Sequence, residues 1–200
     1  MKLRIQESCS SEADPIDSKR MWPWLYVVLM MFLILLSLPV TPSLWSEAIE
    51  RVGPGFNAVG YIFVLAFACW ITVHMICRSG EFRMFRFFLF LVLLAIYGYL
   101  QKYHCKFPAE RLHLIEYGLL ACLSYRALRL DFSRAPAYVL AFLISAAFGY
   151  LDEMIQYVLP NRVFESRDVM TNVIASALGL LVMSVWLGAN SRKGRVERDA

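Results

Sequence analysis

Charge is scarce in this chain: 18% of its 200 residues are Asp, Glu, Lys or Arg, while 59% are apolar. Soluble domains carry about 25% charged and roughly 45–50% apolar residues, so the shortage argues against a soluble fold. A mean hydropathy of +0.54 agrees. The sequence also lacks any Lys/Arg face with interleaved aromatics, so its net charge of +4 is no sign of a nucleic-acid partner. Its five cysteines give no disulfide framework. Cys69, Cys77 and Cys122 fall inside apolar runs, Cys9 lies in a polar segment, and Cys105 has no evident partner. No small-x-small cleavage signal follows the first apolar run, and no apolar run precedes Cys9. The first run therefore reads as an uncleaved helix rather than a leader.

Long apolar blocks are what the sequence has instead. Six can be drawn, at residues 22–40, 56–77, 84–100, 112–130, 135–159 and 169–187. Each is near the ~20 residues that cross about 30 Å of hydrocarbon. Pro39 and Pro42, Gly53-Pro54-Gly55, Ser79-Gly80, Pro108, Pro136 and Pro160 fall at or near block ends. The expected fold is an all-α, polytopic transmembrane helical bundle of about six spans, with the lipid bilayer as its first partner. Residues 1–20 read as a flexible polar tail, 21–100 as N-terminal transmembrane helices and 189–200 as a basic tail. Ser43–Val52 has Leu44, Trp45, Ala48, Ile49 and Val52 at helical spacing, which fits either a short interfacial helix or an irregular loop.

Orientation follows from the basic residues. Fourteen of the twenty Lys and Arg lie in the N-terminal tail, the 78–86 and 126–134 loops and the C-terminal tail; six lie in the alternate loops. Both termini are therefore expected in the cytoplasm, with 101–113 and 156–168 together on the outer face.

Ionisable residues inside apolar spans cost about 2.5–3.5 kcal/mol each at a helix centre, so those present need a reason. Three clusters stand out. His113, Glu116 and Tyr117 share one helical face after Arg111. Asp152, Glu153 and Gln156 share another, one turn beyond Gly149. At about 1.5 Å per residue, Asp152 lies roughly 10 Å below the end of its span, a depth that requires it to face the bundle interior or a cavity. The third comprises Arg162, Glu165, Ser166, Arg167 and Asp168, with Asp168, Asn172, Ser176 and Gly179 forming a polar-to-small stripe. Plainer readings exist: Ser166 or Asp168 as a helix cap, Arg162 and Arg167 as interface anchors, His113 and Tyr117 as an interfacial pair.

The run His113-x-x-x-Tyr117-Gly118, then Gly149-x-x-Asp152-Glu153-x-x-Gln156-x-x-x-Pro160-x-Arg162, then Asp168-x-x-x-Asn172 with Gly179 beyond, resembles the VanZ-like family. That family is named for a small membrane protein linked to low-level resistance to the glycopeptide teicoplanin. The resemblance covers roughly residues 101–188. It departs where the family often has Asp-Lys before its His: here Ala109-Glu110-Arg111 stands, with Arg111 in place of the Lys and one position displaced. Ser176 replaces a Gly common after the Asn. Asn57-x-x-x-Tyr61 after Pro54 repeats the His113-x-x-x-Tyr117 spacing after Pro108, a hint of a decayed internal copy. The resemblance implies a multi-pass protein of the bacterial cytoplasmic (inner) membrane with a role at the cell envelope. It implies no particular reaction.

Three function classes remain open. One is recognition of a lipid-linked envelope precursor or a glycopeptide, with Arg111, Tyr117, Asp152, Gln156, Arg162, Arg167 and Asn172 as binding residues. Another is an enzyme acting on a lipid-linked phosphate, with His113, Glu153 and Asp168 catalytic and the arginines neutralising charge. The third is a structural role in which the clusters only hold helices together. A proton-coupled transporter fits less well, because the carboxylates lie off the midplane. A divalent ion on Asp152, Glu153, Asp168 and His113 is a variant of the enzyme reading; no spacing fixes a metal geometry, so no metal ligands are assigned and any cofactor stays unknown. The topology is directly testable: a reporter fused after Ala200 is expected to report the cytoplasm, and labelling of that end from outside intact cells would overturn the orientation.

Overall fold

Proline and glycine end some of the helices and not others. The computed structural model describes residues 15–57, 62, 83–104, 108–159 and 164–190. Their helices are α1 (Pro15–Val52), α2 (Arg83–Tyr99), α3 (Pro108–Leu128), α4 (Arg134–Val158) and α5 (Ser166–Asn190). A short 3-10 turn, Pro54–Asn57, follows α1, and a wide helical turn, Leu100–His104, continues α2. There is no strand among the described residues. The all-helical class is as expected. Most of the second block, 56–77, lies outside the described residues, as do Tyr61 of the suggested repeat and the C-terminal segment 191–200.

Two local expectations are corrected. The helix begins at Pro15, inside the segment read as a flexible tail, because proline's fixed φ and missing N–H suit a first helical position. It then runs unbroken through Pro39 and Pro42 to Val52, so Ser43–Val52 is neither a loop nor a separate interfacial helix. A proline removes one N–H and crowds the preceding turn, but membrane helices tolerate it because Ser/Thr side chains and neighbouring helices re-satisfy the backbone. Pro39 leaves the Leu35 carbonyl without its helical donor, and on the neighbouring carbonyl, Ile34, the Ser37 hydroxyl adds a hydrogen bond at 2.7 Å. Gly53 is what ends α1. It adopts φ +89°, and its N–H closes the last turn onto the Ile49 carbonyl at 2.8 Å.

Three described helices are long and apolar enough to cross a membrane: Arg20–Thr41, Arg134–Val158 and Ser166–Val185. Phe87–Tyr103 is apolar but shorter. The block expected as a fourth span, now α3, is not among them although it has 21 residues. The reason is position. It is packed by α1, α4 and α5, so its polar residues meet protein rather than lipid. Leu114, Tyr117 and Leu120 pack with Val27 and Ile34 of α1 and Ala175 of α5; Ala121, Tyr125 and Leu128 pack with Ala137 and Ala141 of α4 and Leu180 of α5. α2 joins through Phe90 and Leu93 against Leu178 and Val185 of α5. The outer faces of α1 and α4 keep large apolar residues exposed, such as Phe32, Leu33, Leu143 and Leu151, which is the surface a bilayer covers.

An ion pair between Arg20 and Asp131 ties the start of α1 to the α3–α4 turn, so these two segments lie at one end of the bundle. At the contact of α3 with α5 the backbones touch. A Cβ built on Gly179 would lie 2.6 Å from the Gly118 Cα and 2.8 Å from its carbonyl carbon. No flexible atom is there to yield. Gly179→Ala is therefore expected to push α5 off α3 and to cost about 1–3 kcal/mol. Thermal melting of the detergent-solubilised protein checks this; a variant that melts with the wild type would show that the helices are not so close.

Candidate functional site

The three helices that carry the polar clusters bring them together at the end opposite the Arg20–Asp131 pair. α3 supplies His113, Glu116 and Tyr117 from its first turns, α4 supplies Asp152, Glu153 and Gln156 from its last, and α5 supplies Asn172 from its second. His113, Tyr117, Asp152, Glu153, Gln156 and Asn172 are all buried, with Asp152 and Asn172 at 0% exposure. The depth argument for Asp152 thus matches its place in the bundle.

Close backbone contact makes the arrangement possible. Gly149 is the point where α4 meets both neighbours: a Cβ there would lie 2.7 Å from Asn172 Cβ and 3.2 Å from Tyr117 Cε1. Asn172 Nδ2 donates to the Gly149 carbonyl at 3.3 Å. Beneath it a ladder of hydroxyls links the helices. Ser145 Oγ donates to the Tyr117 carbonyl at 3.1 Å, and Ser176 Oγ lies 2.8 Å from both Ser145 Oγ and the Asn172 carbonyl oxygen.

Above the ladder sit the ionisable groups. The Tyr117 hydroxyl donates to Asp152 Oδ2 at 2.7 Å, joining α3 to α4. His113 Nδ1 lies 3.3 Å from Glu116 Oε2 and 3.9 Å from Asp152 Oδ2, and its ring centroid is 5.9 Å from that of Tyr117. Gln156 Nε2 donates to Glu153 Oε1 at 3.0 Å. One ligand atom each from His113, Asp152 and Glu153 lie within 4.8 Å of one another. Chemically, this is a general acid/base candidate, an acceptor-rich pair of carboxylates and a phenol that orients one of them.

Toward the ends of these helices the side chains become partly exposed. Arg111 is half-buried at the start of α3. Arg167 Nη2 donates to Glu165 Oε2 at 3.0 Å, and its Nε is 3.8 Å from Asp168 Oδ1. Asp168 stands in the first turn of α5, where an acidic side chain also suits the helix dipole. Arg162 lies outside the described residues.

Two participants take roles that the sequence alone does not assign them. Glu116, on the His113 face, is the imidazole's nearest carboxylate. Ser145, unremarkable by residue type, is fully buried. Its signal was available: Ala141, Ser145, Gly149, Asp152 and Gln156 recur at helical spacing as a small-to-polar stripe on α4.

A family model described as VanZ/LLP1 matches residues 23–187. The match takes in most of α1 as well as the segment on which the motif resemblance rests. No curated protein and no solved structure matches the chain.

Removing the phenol hydroxyl tests the Tyr117–Asp152 contact. Tyr117→Phe keeps the ring but takes a donor from a buried carboxylate; interhelical hydrogen bonds in membranes average about 0.6 kcal/mol and reach about 1.7, and a charged acceptor favours the upper value. A lowered melting temperature for Tyr117→Phe is expected, with Tyr26→Phe on the exposed face of α1 unchanged. Equal melting of both variants would mean that the Tyr117–Asp152 contact contributes nothing.

Proposed function

Because the chain belongs to the VanZ/LLP1 family, we propose that it is a bacterial inner-membrane protein that recognises the polar headgroup of a cell-envelope component, a lipid-linked precursor or a glycopeptide, and that this recognition underlies a role in teicoplanin resistance. One observation carries the reading: polar side chains from three helices converge, buried, at one end of the bundle, and the partly exposed Arg111 and Arg167 stand on the same helix ends. A headgroup entering from the outer leaflet would meet these arginines first. Arg167 and Arg111 offer the planar fork that binds phosphate or carboxylate bidentately, and Arg162, between α4 and α5 in the sequence, is proposed as a third such residue. Glu165 and Asp168 now engage Arg167, and an anionic ligand would compete with them. His113, Gln156 and Asn172 would then set the ligand's orientation.

A second reading, an enzyme acting on a lipid-linked phosphate, is favoured by a specific contact. His113 stands between Glu116 and Asp152, the surroundings a general base or acid needs to hold its ring in place. Glu153 and Asp168 are the further carboxylates of that mechanism, and the arginines would neutralise charge developing on phosphate.

Binding and turnover separate the two. Protein reconstituted in nanodiscs is expected to bind a lipid-linked cell-wall precursor or teicoplanin saturably. Arg167→Ala should weaken that binding by about tenfold or more, since a charge-assisted hydrogen bond contributes roughly 1.5–3 kcal/mol and each tenfold is about 1.4. Wild-type protein that binds neither ligand would end the recognition reading. Cleavage of the precursor that is lost in His113→Gln would replace it with the enzyme.

A further inference from the structure

We propose that the buried part of this site is a divalent-metal site in which His113, Asp152 and Glu153 are the three protein ligands and a first-row ion such as zinc or manganese is the occupant. The geometry is the first ground. These three residues come from the first turns of α3 and the last of α4, all three are buried, and their ligand atoms lie within 4.8 Å of one another. Ligand atoms about 2.0–2.2 Å from a shared ion sit roughly 3–4 Å apart, so a small inward movement of the side chains completes the set.

Unmet bonding capacity is the second ground. Glu153 is 1% exposed; its Oε1 accepts from Gln156 and the Glu165 backbone approaches the carboxylate, while its buried Oε2 meets no donor in hydrogen-bond geometry. His113 Nδ1 is buried and faces Glu116 Oε2 at 3.3 Å and Asp152 Oδ2 at 3.9 Å without the alignment of a hydrogen bond. Buried polar atoms are nearly always bonded, and those that are not call for a partner such as an ion.

The chemistry of the donor set is the third: one imidazole with two carboxylates that stand together in an apolar helix is a set whose charge a divalent ion would balance. The supporting contacts also have the pattern of a metal centre, where an outer donor orients each carboxylate: Tyr117 bonds Asp152 and Gln156 bonds Glu153. One imidazole and two carboxylates suit zinc or manganese better than calcium. Three protein ligands leave coordination positions open, and an anionic headgroup would fill one of them if the recognition reading holds; the ion itself does not depend on that reading.

The test uses the full chain, purified in detergent without a histidine tag, stripped with chelator, incubated with zinc, manganese or magnesium separately, and desalted. Elemental analysis is expected to find about one zinc or manganese per chain, and the loaded protein should melt several degrees higher than the stripped one. Tyr117→Phe, which removes only an outer donor, should weaken the affinity about 10–100-fold. Asp152→Asn and Glu153→Gln should lose the ion. Wild-type protein that holds none of the three metals above the buffer blank, and melts alike with and without chelator, overturns the proposal. So does a folded Asp152→Asn or Glu153→Gln protein that retains the ion. If those variants do not fold, wild-type content and melting decide alone. Metal binding without headgroup binding keeps the metal site and removes the recognition reading.

Discussion

A carboxylate cannot face hydrocarbon cheaply, and this protein places two of them, Asp152 and Glu153, side by side within an apolar helix. Much of the packing at that end follows from enclosing them. The pair must be covered by other helices, those helices must come close, and the covering faces must supply donors. Gly149 and Gly179 allow the approach, since a Cβ on either would collide with α5 or α3. Tyr117, Gln156 and Asn172 supply donors to the carboxylates or to backbone carbonyls, and the Ser145–Ser176 pair ties α4 to α5 one level lower. Removing the carboxylates from the problem would remove the need for so polar a helix interface.

The same constraint explains why the central helix is the least apolar one. α3 carries Arg111, His113, Glu116 and Arg126 yet is packed by α1, α4 and α5. In a soluble protein the central element is the most hydrophobic; in a membrane, lipid takes the role of the apolar exterior and the protected centre is where polar groups are tolerated. Whole-helix hydropathy consequently sets α3 apart from the spans, while the exposed leucines and phenylalanines of α1 and α4 raise theirs.

Much of this was legible in the sequence because bilayer physics writes it there. Block length gave the helices, the cost of buried charge marked Asp152 and Glu153, and helical spacing put His113 with Tyr117 and Asn172 with Ser176. What the sequence hid was of two kinds. Pro39 and Pro42 looked like a boundary because proline ends most helices; in a long membrane helix the lost bonds are local and the apolar run carries on past them. Contacts between helices were also hidden. Spacing says which residues share a face and never which faces meet, so the approach of His113 to Asp152, and the presence of Ser145 beneath Tyr117, needed the fold.

Stability alone is a weak reason for the ionisable part of this constellation. The neutral contacts already clamp α3, α4 and α5: Asn172 to Gly149, Ser145 to Tyr117, Ser176 to Ser145, with the glycines bringing backbones together. None of these needs a charge. Replacing buried ionic groups by well-packed apolar ones is often neutral or stabilising by about 1–4 kcal/mol, so a purely structural protein would fare as well or better with Leu or Met at 152 and 153. The carboxylates also stand near the end of α4, beside an imidazole, at the end of the bundle where the proposed recognition would take place. Depth and composition together separate the two layers of the interface: the hydroxyls and glycines hold the helices, and the His113–Asp152–Glu153 group stands above them, free of that duty and open to the proposed one.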